Sequence, residues 1–166
     1  MKRITTGTEN FKEFMDKNYY YVDKTMLIDD VLSDKVMLYT RPRRFGKTLN
    51  MSMLYYFFSN HEKENAYIFD NLNVTKHHHL MIHQNQYPVI FLSLKDLSRE
   101  SMNLHIDKFK AIVAKVVEDY FELRETPYLS EAEKWLIDDY HYKKFSKSDL
   151  RDALYNLSIF LEKHYH

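Results

Sequence analysis

A short run in the middle of the chain carries the residue types that bind phosphate. It ends in Gly46-Lys47-Thr48, and a helical pattern follows. Glycine lets the backbone approach an anion, lysine supplies a point charge, and a threonine hydroxyl ligates Mg²⁺. The unpaired amides of a helix start add positive potential. The run therefore predicts a phosphate-binding loop (P-loop) for ATP and Mg²⁺. The other nucleotide-binding residues predicted in the loop are Arg43, Arg44 and Phe45.

The beginning of this loop departs from the usual G-x-x-x-x-G-K-T motif. The first glycine of that motif would fall at position 41, which is Arg41. Arg43 and Arg44 strengthen the attraction to polyphosphate, but they suit an acidic protein face or a nucleic-acid backbone equally well. A basic helix start that binds nothing is the alternative interpretation.

Apolar patterns around the loop predict the elements that position it. Residues 36–40 and 89–94 are short runs rich in apolar and β-branched residues, which predicts two buried strands. Helical patterns cover 23–32, 47–59, 101–121, about 130–140 and the stretch from 146 onward, and all except 47–59 have a capping signal. The predicted fold class is α/β, an incomplete P-loop NTPase-like domain whose short, mostly parallel sheet is accompanied by an excess of helix.

Composition narrows the functional classes. The 166 residues predict one domain spanning 1–166, and 24 basic residues balance 24 acidic ones. This balance argues against binding of nucleic acid or of an anionic membrane through the net charge of the protein. The absence of cysteine excludes disulfides and thiolate metal sites and fits the cytoplasm. Only two glycines occur, Gly7 and Gly46, so a glycine kept in mid-chain indicates a backbone requirement there.

Three segments together resemble a known family. They are residues 20–25 (YYVDKT), residues 40–54 (TRPRRFGKTLNMSML) and residues 87–96 (YPVIFLSLKD). They are similar to the AAA-ATPase-like domain of bacterial proteins that often carry a PD-(D/E)XK nuclease-like domain farther along the chain. The resemblance implies ATP and Mg²⁺ as cofactors, and it makes Arg41 a family feature rather than a defect.

The resemblance also implies a second acidic site. In the family, a strand that follows the last helix seen here carries an acid for Mg²⁺ and another that polarises the attacking water. We expect this chain to stop before that Walker B strand, so that hydrolysis is weak or absent. Asp96 and Asp70 are the nearest substitutes in the sequence, with Asp96 as the candidate metal ligand; capping or solvent exposure is the plainer interpretation of both.

A missing strand has consequences for partners. Without it, the two predicted strands either pair with each other or accept a strand from another chain, which predicts a homodimer or a protein partner that completes the sheet. A function of a different class also fits. The chain could be an inactive interaction protein that uses the arginine loop to bind, inhibit or tether a nucleic-acid enzyme, for example as a mobile-element inhibitor of a CRISPR effector.

Aromatic and histidine residues offer two further candidate sites. Tyr21 precedes the helix that would flank a nucleotide base, so it is a candidate for stacking on adenine, although tyrosines at such spacings more often belong to the core. Residues 77–79 and His83 form a histidine cluster, but adjacent residues cannot all face one ion. An exposed loop is the preferred interpretation of that cluster.

Overall fold

The computed structural model describes residues 2–5, 7–40, 42, 45–94 and 102–165. The chain divides into two compact units, Met1–Val89 and Ile90–His166. The prediction that residues 1–166 form one domain stays a prediction. Within the described ranges, no helix is long and apolar enough to span a membrane.

The first unit is built from short helices around an aromatic core. Its α-helices are α1 (Phe11–Asp16), α2 (Leu27–Ser33), α3 (Lys47–Phe58) and α4 (His78–Met81), and its 3₁₀ stretches are Asn60–Phe69 and Asn73–Lys76. The ring of Phe69 lies at the centre, with its centroid 5.4 Å from that of Phe11 and 5.3 Å from that of Phe57. All three side chains are fully buried, so α1, α3 and the first 3₁₀ stretch are joined by ring packing.

The prediction of a β-sheet is wrong for the described residues. The described residues contain no strand, and their only β-type pairing is one isolated parallel bridge between Ser59 and Tyr87. The predicted α/β class with a short, mostly parallel P-loop sheet is therefore replaced by a helical architecture in the described part of the chain.

Residues 36–40 have the apolar pattern of a strand without forming one. Met37 and Tyr39 pack against the core of the first unit, while Val36 and Leu38 are 89% and 86% exposed. This alternation is the one a half-buried strand has, but within the described chain no neighbour supplies the ladder of hydrogen bonds that a sheet requires. Pairing with residues 89–94 was one of two expected arrangements of this run; neither run forms a strand in the described residues, and the other arrangement, a strand from a partner chain, stays a prediction.

The second unit is a helical bundle. It contains α5 (Met102–Asp119), α6 (Glu131–His141), α7 (Lys147–Tyr165) and a 3₁₀ turn at Phe121–Arg124. Its core residues include Val117, Ile137 and Leu157, each fully buried. Ile90 and Leu92, from the second predicted strand, pack against this core without forming a strand.

Capping residues define where α6 and α7 begin. The Ser130 hydroxyl accepts a hydrogen bond from the Glu133 amide, and the Glu133 carboxylate accepts from the Ser130 amide, which completes a capping box. Ser146 and Asp149 make the same reciprocal pair before α7. Both helix starts predicted from the sequence are confirmed.

Candidate functional site

Helix α3 begins with exposed backbone donors. Its N-cap is Gly46, in the left-handed region at φ 73° and ψ 23°, and no side chain caps the helix. The first helical hydrogen bond joins the Asn50 amide to the Gly46 carbonyl oxygen at 2.9 Å. The amides of residues 47–49 thus have no hydrogen-bond acceptor among the described residues. This arrangement places partial positive charge at the helix start.

The side chain of Lys47 adds a full charge at the same place. Lys47 is exposed, and its ammonium makes no hydrogen bond or ion pair with any described residue. Thr48 is half-buried beside it. The predicted start of the helix at Lys47 is confirmed, and the local geometry is that of a helix terminus open to an anion.

A cavity of about 680 Å³ adjoins this helix start. The described residues that line it fall into two groups along the sequence. Residues 46–49 form one group, which we call the helix wall. Thr5, Gly7, Thr8 and Glu9 form the other, which we call the N-terminal wall, and Phe14 also lines the cavity. The volume lies within the range of small-molecule sites, roughly 300–1,000 Å³.

Helix α1 fixes the N-terminal wall against α3. The amide of Phe11 donates to the Ser52 hydroxyl at 3.0 Å, and the Asn10 side chain donates to the Tyr56 hydroxyl at 2.9 Å. Ser52 and Tyr56 both lie on α3 and are buried. The chain directly after the N-terminal wall is thus attached to the helix that carries Lys47.

The other predicted site residues have different surroundings. Arg43, Arg44 and the candidate metal ligand Asp96 lie outside the described residues. Phe45 is 58% exposed. Asp70 is exposed in the turn after the first 3₁₀ stretch, where its amide donates to the Tyr67 carbonyl oxygen.

Tyr21 lies in the aromatic core of the first unit rather than among the residues that border the cavity. Its ring centroid is 5.3 Å from that of Phe11 and 5.9 Å from that of Phe14. Burial raises the pKa of Tyr21 to about 12, so the phenol is neutral at physiological pH. Its predicted role in stacking on adenine stays a prediction.

Metal coordination by the protein alone has no candidate in the described residues. No group of three or more histidine, aspartate or glutamate side chains among them is arranged to hold an ion. His77 and His79 have ring centroids 5.8 Å apart with perpendicular planes. Thr48 as a Mg²⁺ ligand through a nucleotide stays a prediction.

The N-terminal wall was not predicted from the sequence, although Gly7 is one of only two glycines in the chain. Gly7 has φ 95° and Gly46 has φ 73°, so both adopt a backbone conformation that favours glycine. The rarity that drew attention to Gly46 applied equally to Gly7.

Comparison with known proteins adds the family. A family model described as "Predicted AAA-ATPase" matches residues 5–158. The chain belongs to this predicted AAA-ATPase family. The match begins at Thr5, so both cavity walls lie within the predicted AAA-ATPase region. Membership in the predicted AAA-ATPase family implies nucleotide as the ligand class, and ATP with Mg²⁺ in general. No curated protein and no solved structure matches the chain.

Proposed function

We propose that the chain binds Mg·ATP at the start of helix α3. The observation that carries this proposal is the helix terminus at Gly46, which has no side-chain cap, together with the Lys47 ammonium, which has no partner among the described residues; both border a cavity of about 680 Å³. Membership in the predicted AAA-ATPase family supports the same ligand class.

Each residue of the helix wall has a physical role in this proposal. The amides of residues 47–49 donate to phosphate oxygens, and charge-assisted bonds of this kind are worth roughly 1.5–3 kcal/mol each. Lys47 neutralises charge on the outer phosphates, and the Thr48 hydroxyl is a ligand for Mg²⁺. Arg43 and Arg44 add positive charge in the same loop.

We propose further that the chain hydrolyses ATP weakly or not at all. P-loop ATPases use an acid to hold Mg²⁺ and a further polar group to position the attacking water. The described residues that border the cavity include a single carboxylate, that of Glu9. We therefore expect binding without rapid turnover, and single-turnover assays with excess protein should give a rate no faster than that of the Lys47→Ala variant. Turnover typical of ATPases would overturn this part of the proposal.

Calorimetric titration with Mg·ATP tests the binding proposal. We expect the wild type to bind, and we expect Lys47→Ala to lose roughly tenfold or more in affinity. Lys63→Ala is the matched control, because Lys63 is also exposed in the first unit and forms no ion pair with described residues. Absence of heat with the wild type, or equal affinities for all three proteins, would contradict the proposal.

One observation favours a second function, that of a protein-interaction module. Val36 and Leu38 are two large apolar side chains, 89% and 86% exposed, two positions apart on the same side of one segment. Such an apolar edge is typical of a surface that another chain covers. This role includes the homodimer and the inhibitor of a nucleic-acid enzyme suggested by the sequence.

Light scattering after size-exclusion chromatography tests the second function. If a second copy covers the apolar edge, the wild type will be a dimer and the double variant Val36→Ser/Leu38→Ser a monomer. Met51→Ser is a control, since Met51 is an exposed apolar residue of the same unit. A wild-type monomer that remains monomeric at high concentration would contradict the homodimer.

A further inference from the structure

The only two glycines of the chain both line one cavity. Gly7 lies on the N-terminal wall and Gly46 on the helix wall. Both have positive φ, and a Cβ added to either would meet no atom within 4 Å. Neither glycine is therefore required by close packing of the protein itself. Both positions are therefore set by the backbone angle, and both border the same open space.

The two walls differ in charge. The helix wall carries the Lys47 ammonium and the amides of residues 47–49, which have no acceptor among the described residues. The N-terminal wall carries the hydroxyls of Thr5 and Thr8 and the carboxylate of Glu9. None of its described residues has a positively charged side chain. A triphosphate suits the first wall. Neutral hydroxyl and amino groups suit the second wall, since the hydroxyls of Thr5 and Thr8 accept hydrogen bonds from them.

We propose that the N-terminal wall binds the nucleoside half of the nucleotide, while the helix wall binds its phosphates. This inference rests on the proposed function and assigns the second half of the same ligand. Thr5 and Thr8 hydrogen-bond to the sugar hydroxyls or the base edge. Phe14 lies at the cavity boundary, where it supplies an apolar surface for the base.

Packing around α1 holds the N-terminal wall ready for this role. The Asn10 side chain caps α1 by accepting from the Glu13 amide at 2.9 Å, directly after the wall. Phe14 is only 7% exposed, and its ring lies against Tyr19 with centroids 5.5 Å apart. A wall anchored in this way loses little conformational entropy when it binds a ligand.

Comparing the affinity for Mg·ATP with that for inorganic tripolyphosphate and Mg²⁺ tests the two halves of the site separately, because tripolyphosphate has no nucleoside. The test variant is Thr5→Val/Thr8→Val, which removes two hydroxyls and preserves side-chain shape. We expect it to bind ATP roughly tenfold more weakly than the wild type and to bind tripolyphosphate with unchanged affinity. Lys47→Ala should lower the affinity for both ligands. Ser33→Ala, which lies outside the cavity lining, should leave both affinities unchanged.

Different results would overturn different parts of the account. If the double variant binds ATP as the wild type does, or loses ATP and tripolyphosphate equally, the nucleoside assignment is wrong while the proposed function stands. If the wild type binds neither ligand, both proposals fail together.

Photolabelling with 8-azido-ATP provides a second readout that does not depend on substitutions. We expect the label on the peptide that contains residues 5–14. A label confined to other peptides would overturn the assignment.

Discussion

The side-chain amide of Asn50 donates a hydrogen bond of 3.0 Å to the hydroxyl of Tyr39. Asn50 lies in the first turn of α3 and is only 1% exposed. Tyr39 belongs to the segment that leads into the phosphate-binding loop. This bond therefore joins the segment before the loop to the helix after it and limits how far the two can separate.

The Asn50–Tyr39 bond should be measurable as an energetic coupling. We expect Asn50→Ala and Tyr39→Phe each to lower the free energy of unfolding by about 1 kcal/mol, because the first variant removes the donor of this bond and the second removes its acceptor. The double-mutant cycle should give a coupling of roughly 0.5–1.5 kcal/mol in urea denaturation. Strictly additive losses would show that the two groups do not interact in solution.

Gly46 should resist substitution because of its backbone angle and not because of crowding. Its φ is 73°, and a Cβ there would meet no atom within 4 Å. Gly46→Ala should therefore cost about 1–2 kcal/mol of stability, while Gly46→Asn should cost less, since asparagine tolerates the left-handed region. Chemical denaturation of both variants checks this order. Equal stability of wild type and Gly46→Ala would mean that the residue does not hold a positive φ.

Asp23 should be a structural residue. Its carboxylate accepts from the amide and hydroxyl of Thr25, at 2.8 and 2.7 Å, and from the amide of Asn73 at 2.6 Å. Thr25 is fully buried, so Asp23→Ala leaves donors unpaired and should cost about 2–4 kcal/mol of unfolding free energy. Asp34→Ala, at an exposed acid of the same unit, should change stability little. Unaltered stability of Asp23→Ala would argue instead for a role in ligand binding.

The Glu133 carboxylate should govern the acid sensitivity of the second unit. The Lys163 ammonium, at 2.5 Å, and hydrogen bonds from Ser130 lower the pKa of Glu133 to about 2. In the unfolded chain the pKa is about 4.3. The stabilisation is therefore present above about pH 4.3 and is lost as the pH falls toward 2.

A pH series of urea denaturations tests this prediction for Glu133. Glu133→Gln should lower stability at pH 7 and flatten its dependence on pH between about 4 and 2. The control Glu131→Gln removes the same charge from the same helical turn, where Glu131 forms an ion pair with the nearby Lys134 at 3.3 Å. If the two variants show the same pH dependence, Glu133 does not carry the effect.

Local capping chemistry was predictable from the sequence, whereas the sheet was not. Ser130 with Glu133 and Ser146 with Asp149 each fix a helix start through groups three residues apart, so the sequence contains the whole interaction. A strand depends on a neighbour that periodicity cannot identify. At Val36 and Leu38 the apolar pattern is present, but the described chain provides no neighbouring strand.

The candidate site was half predictable for a related reason. The helix wall is continuous in sequence, so Gly46, Lys47 and Thr48 identified it directly. The N-terminal wall lies some forty residues earlier and meets the helix wall only through the packing of α1 on α3. Gly7 was the one sequence signal for it, and its meaning became clear only when both glycines lined the same cavity.

Backbone amide chemical shifts offer the most direct test of the central claim, which is that the start of α3 binds phosphate. In ¹H–¹⁵N spectra of the full chain titrated with Mg·ATP, the account predicts the largest shift changes at residues 46–49, with saturation. It also predicts that Lys47→Ala strongly weakens these changes. Saturable binding whose shift changes leave residues 46–49 unaffected, or no binding at all, would contradict it.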